Sequence, residues 1–168
     1  MKSLINIKKA PLEIAKLLAD DTIIKQLVYI DTNNPFTGDV SEVDMNKMLT
    51  EHYISFDPPV ENRIEEYQRN TFISILIDSV SLYGSEDNIP TTLVIYVSTN
   101  ADHLIITDNK NRLLELADRV IKILDGKKLS ASGSLYINSL QHVMLSEFHS
   151  GYRIACRISD LRHKEGDI

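Results

Sequence analysis

Histidine and cysteine are the residues of this sequence whose chemistry best suits metal binding or nucleophilic catalysis. The five histidines are His52, His103, His142, His149 and His163. None lies three to five residues from another, as a helical metal-binding pair requires, so we expect no metal site. The one cysteine, Cys156, falls on the apolar side of a predicted strand. A thiol in that position packs as a small hydrophobic group, because reactivity needs nearby cations or a helix N-terminus.

Two further patterns match a known kind of site only in part. Residues 127–134 have the residue types of a phosphate-binding loop, but they follow a helix, whereas such a loop follows a strand and opens a helix. Asp78 lies in a predicted strand downstream of Glu61, Glu65 and Glu66. Paired carboxylates can bind magnesium or share a proton, but no second acid and lysine follow Asp78 at nuclease-like spacing. From these patterns we therefore predict no catalytic residue, no cofactor site and no metal site.

Length and composition restrict the classes of protein that remain. The 168 residues match the usual size of one domain, so we treat 1–168 as a single domain that builds its own core. Eighteen basic residues against 24 acidic ones leave a net charge of −6, which disfavours a general nucleic-acid binder. A single cysteine excludes an internal disulfide framework. Neither a signal peptide nor a long apolar stretch is visible, so we expect a soluble protein made in a reducing cytosol, without a membrane partner.

Apolar spacing predicts two short helices at the start of the chain and an irregular stretch after them. Residues 11–19 have helical spacing with Leu12 on the apolar side. Residues 20–22 are suited to cap a second helix, on which Ile23 joins the buried side. Residues 31–59 combine turn residues, a helical turn and a short strand, and we interpret them as a candidate insertion or arm.

Two long segments rich in β-branched and aromatic residues predict the centre of a sheet. Residues 71–83 and 91–99 are expected to pair as an antiparallel hairpin through a polar connection at 84–90. The first half of 71–83 is apolar on both sides, which indicates cover on both faces. Its second half turns polar from Asp78 onward and is expected to leave the core.

A helix and two more strands complete the predicted order. Residues 109–125 have a continuous apolar stripe, with Asp108 as the expected N-cap, Gly126 after the C-terminus and Arg112 on the polar side. Strands are predicted at 135–140 and 152–159. The fold class is thus α+β: a mostly antiparallel sheet, made of two long hairpin strands plus two C-terminal strands and covered by helices.

The last strand also provides a candidate contact surface. Apolar residues alternate in it with polar ones, which is typical of a strand with one buried face. Arg153 and Arg157 lie on the polar face. We interpret these two arginines as a candidate face for contact with another subunit or a partner protein.

The order of features from Ile14 to Ser159 resembles the tail completion, or tail terminator, proteins of tailed bacteriophages. The segments that carry the resemblance are residues 12–21, 54–61, 71–78, 92–97, 112–121 and 151–158. They look like that family's first helix with its acidic stop, its short strand before a proline turn, its two long strands, its sheet-covering helix and its closing strand. Residues 37–52 depart from the pattern because they are longer than it needs.

The resemblance implies a structural role in the virion. Members of that family are not enzymes and need no cofactor; they form rings, commonly hexamers, at the head-proximal end of the tail. There they stop growth of the tail tube and join the tail to the capsid neck. The implied partners are other copies of the chain, neck or connector proteins, the tail tube protein, and genomic DNA that passes through the lumen without sequence-specific binding. The implied location is the neck or tail of the virion, after synthesis in the host cytoplasm.

In such a ring, the loop at 84–90 becomes a candidate channel-facing element. Its tip carries Glu86 and Asp87 and no basic residue. An acidic rim repeated by symmetry would repel DNA phosphates within a Debye length of about 8 Å in physiological salt. The simpler interpretation is an exposed tip without contacts.

Three other functions remain open at this point. The first is another neck component, such as a head–tail adaptor or a stopper. The second is a free-standing α+β module that binds a small molecule or a peptide in a deep apolar pocket. The third is an enzyme built from scattered acids and histidines. A measured oligomeric state separates the ring-forming proteins from the others.

Overall fold

The structure, a computed structural model, describes residues 4–60, 63–64, 69–80, 91–130 and 133–159. The helices in these ranges are α1 (Leu4–Ala19), α2 (Thr22–Tyr29), α3 (Met45–Thr50) and α4 (Arg112–Leu124). The strands are β1 (Ile54–Ser55), β2 (Thr71–Val80), β3 (Thr91–Asn100), β4 (Ile105–Ile106), β5 (Lys110–Asn111), β6 (Lys128–Leu129), β7 (Gly133–Met144) and β8 (His149–Ser159). The fold is α+β, as the order of elements predicts. No helix of the described ranges is long and apolar enough to cross a membrane.

Six strands form the main sheet, in the order β1-β2-β3-β8-β7-β6. All neighbours are antiparallel except β1 and β2, which are parallel. The predicted antiparallel pairing of the two long strands is confirmed, with Ile75 of β2 opposite Ile95 of β3. The predicted connection at 84–90 lies outside the described residues. β4 and β5 form a separate two-stranded ladder.

One face of the sheet forms the main core with the helices. Ile75, Ile95 and Ile154 lie side by side on β2, β3 and β8 and are fully buried. Side chains alternate between the faces of a strand, so every second residue of these strands enters this core. The amphipathic helix α4 covers the same face with its apolar stripe, which includes Leu116 and Val120. We call this side the helix face and the opposite side the outer face.

The predicted change along β2, from buried residues to exposed ones, is confirmed. Its first five residues are buried and Ile77, Asp78 and Ser79 are exposed. The outer face of the first half is covered partly by the chain after β1, because the Ser74 hydroxyl donates a hydrogen bond to the Asp57 carbonyl. A register shift between Ile77 and Ser79 marks the point where the strand changes.

Helix ends follow the predicted chemistry, with two exceptions. The helix predicted over 11–19 begins at Leu4, so Pro11 lies inside α1 and not in its first turn. The Asp21 side chain accepts a hydrogen bond of 3.0 Å from the Ile24 N–H and caps α2. Gly126 follows α4 with φ of 72°, a conformation that suits glycine. The prediction of Asp108 as the N-cap of α4 is wrong: Asn111 caps the helix, since its side chain accepts from Leu114 N at 3.1 Å. Residues 107–109 form a 3₁₀ turn before it.

Arg112 is the main correction to the predicted polar side of α4. Its side chain is buried with 1% exposure and carries no carboxylate partner within hydrogen-bond distance among the described residues. Instead its guanidinium donates to four backbone carbonyls, namely those of Leu27 (2.7 Å), Ile30 (2.8 Å), His103 (3.1 Å) and Thr32. A helix leaves its last carbonyls without intrahelical donors, and Arg112 supplies one for Leu27 near the end of α2.

Two apolar residues predicted on buried helix sides are exposed. Leu12 lies roughly 200° around α1 from Ile14, because each helical residue advances by about 100°. Ile14, with Ala10 and Leu18, faces the core, so Leu12 faces away from it. Ile23 is likewise exposed at the start of α2, while Ile24 is buried.

Residues 31–59 contribute to the main core. Val40, Met48 of α3 and Ile54 of β1 are buried in it. β1 adds to the edge of β2 by pairing Ile54 with Ile73 and Ser55 with Ser74. Whether this segment is an insertion relative to other proteins of similar fold stays a prediction.

Candidate functional site

Along most of its length, strand β7 pairs with β8 on one side and with no described strand on the other. The short strand β6 pairs only Lys128 and Leu129 with the first residues of β7. The next part of the edge is covered by a loop, since the Ile137 N–H donates to the Asp125 carboxylate at 2.9 Å. Residues 138–144 have no further strand partner on that side within the described ranges. Their sequence contains no Asp, Glu, Lys, Arg or Pro, the residues that usually protect a free edge.

The helix layer ends partway along β7, and its apolar side chains become exposed beyond that point. Leu135, Leu140 and Met144 lie on the helix face, opposite Ile158, Ile154 and Ser150 of β8. Their exposure rises from 0% at Leu135 to 44% at Leu140 and 68% at Met144. The far half of β7 therefore exposes Leu140 and Met144, with the exposed His142 between them on the same face and none of the described helices covering them.

The turn between β7 and β8 is held by hydrogen bonds and carries an exposed aromatic ring. The Ser146 hydroxyl oxygen accepts from the N–H groups of Phe148 (3.3 Å) and His149 (3.1 Å). The Phe148 carbonyl accepts from Ala101 N at 2.9 Å, which ties the turn to the end of β3. The Phe148 side chain is nevertheless 63% exposed. We call Met144, Glu147 and Phe148 the hairpin tip.

A groove lies at the opposite edge of the sheet, between α1 and β2. It has a volume of about 360 Å³ and is lined by Lys8, Pro11 and Leu12 of α1, Phe56 after β1, and residues 75–77 of β2. Leu12 is 50% and Phe56 41% exposed. β1 pairs with β2 only at Ile73 and Ser74, so within the described chain residues 75–77 of β2 have a strand partner, β3, on one side only. We call this the α1–β2 groove.

The two predicted contact arginines lie on the outer face, four residues apart on β8. Arg153 stands opposite Tyr96 of β3, and Arg157 stands opposite Tyr136 of β7. Arg153 pairs with Asp78 at 3.8 Å, with both side chains partly exposed, so the pair adds little to stability. Arg157 is exposed. The placement of both arginines on one face was predicted from alternation; their role in contact with a partner stays a prediction.

Glu86 and Asp87, predicted as channel-facing residues, lie outside the described residues. Val80 and Thr91, which flank the undescribed segment, pair with each other at the ends of β2 and β3.

A polar cluster that sequence reasoning missed lies where α2 and β2 meet. Asp31 pairs with His103 Nδ1 at 2.7 Å and also accepts from the Asn70 side chain. Close by, the Arg69 guanidinium lies over the Tyr53 ring, 4.5 Å from its centroid, and donates to the Glu51 carbonyl at 2.8 Å. The two members of each pair in this cluster lie from 16 positions apart, for Arg69 and Tyr53, to 72 positions apart, for Asp31 and His103, so no local pattern signals the cluster. The cluster joins the loops that follow α2 and β3 to the start of β2.

Cys156, His142 and His149 make packing contacts and hydrogen bonds within the fold. Burial raises the pKa of the Cys156 thiol to about 12, so the thiolate that a nucleophile needs is absent at neutral pH. His142 packs edge-on against Tyr152 with ring centroids 5.5 Å apart. Burial lowers the pKa of His149, while its hydrogen bond to the Arg69 carbonyl opposes that shift. Within the described chain, no group of three or more His, Cys, Asp or Glu side chains is arranged to hold a metal ion.

The loop that partly resembles a phosphate-binding motif contacts a carboxylate of the same chain. Ser130 N donates to Glu13 at 2.9 Å, and the Ser130 hydroxyl donates to the same carboxylate. Lys128 and Leu129 of this loop form β6. The described part of the segment thus fastens α1 to the edge of the sheet.

Comparison with known proteins gives one family. No curated protein matches the chain. A sequence model of the YomW family matches residues 20–158, which run from before α2 to the penultimate residue of β8. YomW is a phage-derived Bacillus family, so the match supports the bacteriophage part of the resemblance and does not single out tail terminators. The chain therefore belongs to the YomW family and is a phage-associated protein.

Proposed function

We propose that this phage-associated protein is a structural virion component that forms a ring, most simply a hexamer, at the head-proximal end of the tail. In this position it ends the tail tube and joins the tail to the capsid neck. It carries out no catalysis and needs no cofactor. It is made in the host cytoplasm and becomes part of the neck or tail of the particle.

The observation that carries the proposal is the exposed apolar surface of the β7–β8 hairpin. Leu140, Met144 and Phe148 expose apolar area beside the edge of β7 at residues 138–144, which has no further strand partner in the described ranges and contains no Asp, Glu, Lys or Arg. A long, uncharged and apolar edge is an aggregation hazard in a monomer, and proteins usually pair or cover such an edge. Contact between copies would cover it, as a ring requires.

Two other properties agree with a ring around DNA. The net charge of −6 avoids the strong phosphate attraction that would hold a passing duplex. Arg153 and Arg157 lie on the outer face of the sheet, where they can meet an acidic surface of a neck protein or the tail tube protein. Glu86 and Asp87 stay candidates for an acidic rim on the lumen.

The test is a phage that lacks the gene, with lysates imaged by electron microscopy. A tail terminator predicts tail tubes longer than normal that are not attached to heads, because nothing stops tube growth. Tubes of normal length that stay separate from heads would favour an adaptor or stopper instead. Complete particles in normal numbers would contradict a structural role in the tail or neck and favour a free-standing binding module. Expression of the wild-type gene from a plasmid is the control and should restore joined particles.

A further inference from the structure

We propose that neighbouring copies of the chain join head to tail, with the hairpin tip of one copy seated in the α1–β2 groove of the next. This inference rests on the proposed ring and assigns the surfaces that close it. The occupant of the groove is therefore a second copy of this chain.

The two surfaces match in their apolar groups. The tip offers Phe148 and Met144, with 63% and 68% exposure, from a turn that hydrogen bonds hold in place. The groove offers the exposed side chains of Leu12 and Phe56 around about 360 Å³ of space. This volume lies in the range of roughly 300 to 1,000 Å³ that pockets for small ligands occupy, so it can take an aromatic side chain and its neighbour. A turn that is already ordered loses little conformational entropy on binding.

The two surfaces also match in charge. The tip carries the exposed carboxylate of Glu147, and the groove carries the exposed ammonium of Lys8. Neither side chain has an ion-pair partner among the described residues. In the proposed contact, the Glu147 carboxylate on the tip therefore faces the Lys8 ammonium in the groove. Each charge lies beside exposed apolar side chains of its own surface. Opposite charges at the rim of an apolar contact favour one register and partner over others.

The strand edges in the two surfaces fit the same arrangement. In the described chain, residues 75–77 of β2 line the groove with a strand partner on one side only, and residues 138–144 of β7 lead into the tip in the same way. A strand of a second copy can supply the missing hydrogen bonds to such an edge.

The positions of the two surfaces determine the kind of assembly. In the main sheet, β2 and β7 are separated by β3 and β8, so the groove and the tip lie at opposite sides of one copy. A copy cannot fill its own groove with its own tip across about 14 Å of sheet, which is three strand spacings. Contact between two different surfaces is heterologous, and it generates a ring when the rotation between copies closes.

Cross-linking between variants that each introduce one cysteine into a Cys156→Ala background tests this contact directly. Lys8→Cys and Glu147→Cys replace the two charged partners and leave the apolar groups in place, and removal of the one native cysteine leaves no other thiol to react. With a short bismaleimide, an equal mixture of the two variants is expected to give a cross-linked dimer, and neither variant alone should do so. The double variant should give a ladder up to the full ring.

Dilution experiments with aspartate variants provide the second measurement. Phe148→Asp is expected to weaken self-association by tenfold or more, as loss of a central aromatic contact usually does. Ile105→Asp is the matched control, because Ile105 is 53% exposed on β4 and lies outside both surfaces. Both variants should keep the wild-type circular dichroism spectrum.

The outcomes separate this inference from the proposed function. If wild-type protein forms a ring but the cysteine mixture gives no dimer, or Phe148→Asp associates like the control, the head-to-tail contact is wrong and the ring stands. If Glu147→Cys alone cross-links to itself, the contact joins two tips and the inference is again wrong. If wild-type protein stays monomeric at every concentration, the proposed ring fails and the contact fails with it.

Discussion

Arg112 shows how one buried cation connects three parts of the chain. Its guanidinium donates to carbonyls of α2, of the following loop and of the turn at His103. Burial lowers the pKa of Arg112 and nearby Asp31 opposes that shift, but an arginine stays protonated in a protein at physiological pH. The charge is thus satisfied by peptide dipoles and not by an adjacent carboxylate.

We expect Arg112→Met to lower the free energy of unfolding by about 2–5 kcal/mol, because it leaves buried carbonyls without donors. Arg112→Lys should restore only part of the loss, since an ammonium cannot reproduce the planar fork of donors. Urea unfolding measures both. Arg157→Met removes an exposed arginine and should change stability by no more than about 0.5 kcal/mol. Equal effects at the two positions would show that the carbonyl contacts contribute nothing.

Asp21 links the start of α2 to α4 and provides a pH-dependent contribution. Its carboxylate accepts from Arg119 Nε at 3.1 and 3.2 Å and from Nη2 at 2.5 Å, besides capping Ile24. Burial raises its pKa, but hydrogen bonds from Arg119 and Ile24 outweigh burial and hold the pKa below the ordinary 3.8. A lowered pKa means stability that is complete above the ordinary value and is lost as the pH falls below it.

Asp21→Asn is expected to cost about 1 kcal/mol at pH 7, since it loses the charge and keeps a capping oxygen. The difference in melting temperature from wild type should shrink from pH 5 to pH 2, as the wild-type carboxyl takes up its proton. Asp118→Asn, in an exposed pair with Lys122, is the control and should have little effect. A difference that stays constant down to pH 2 would exclude ionised Asp21 as its source.

At the scale of elements, β8 is the strand on which the assignment of residues to the helix face or the outer face can be tested most simply. Ile154 is fully buried on the helix face between β3 and β7. Ile154→Asp places a carboxylate in the apolar core and is expected to lower stability by more than about 4 kcal/mol, or to prevent folding. Arg157→Asp puts the same group on the outer face of the same strand and should fold normally. Thermal melting of both proteins checks this, and similar melting temperatures would mean that the faces are assigned wrongly.

The elements that the sequence predicts well are those with a complete local pattern. Alternation places Ile154, Cys156 and Ile158 on the buried face of β8, and a stripe of apolar residues places α4 over the sheet. Arg112 falls outside that apolar stripe. It is nevertheless buried, because it contacts backbone carbonyls that are distant in the sequence. Asp108 and Asn111 are both good N-caps by type, and the 3₁₀ turn at 107–109 decides between them. The first error thus comes from tertiary contacts, which no local pattern contains, and the second from a local turn that the residue types alone do not reveal.

At the scale of the whole molecule, the sequence predicts less of the candidate site than of the fold. β7 was predicted only over residues 135–140, because Gln141 and His142 interrupt its apolar character; the strand continues to Met144 through pairing with β8. The α1–β2 groove brings Leu12, Phe56 and Ile77 together from three distant segments. Both surfaces therefore depend on how the elements pack. The outer-face position of Arg153 and Arg157, in contrast, follows from alternation alone.

The mass of the purified wild-type protein, measured by size-exclusion chromatography with light scattering, tests the proposed ring most directly. A tail-terminator ring predicts one species whose mass is a fixed multiple of the 19.1 kDa chain, most simply six times that value. The mass should persist on dilution to low micromolar concentration, and images of the same fraction should show closed rings with a central hole. A protein that elutes as a monomer or a dimer at every concentration would contradict the proposed ring.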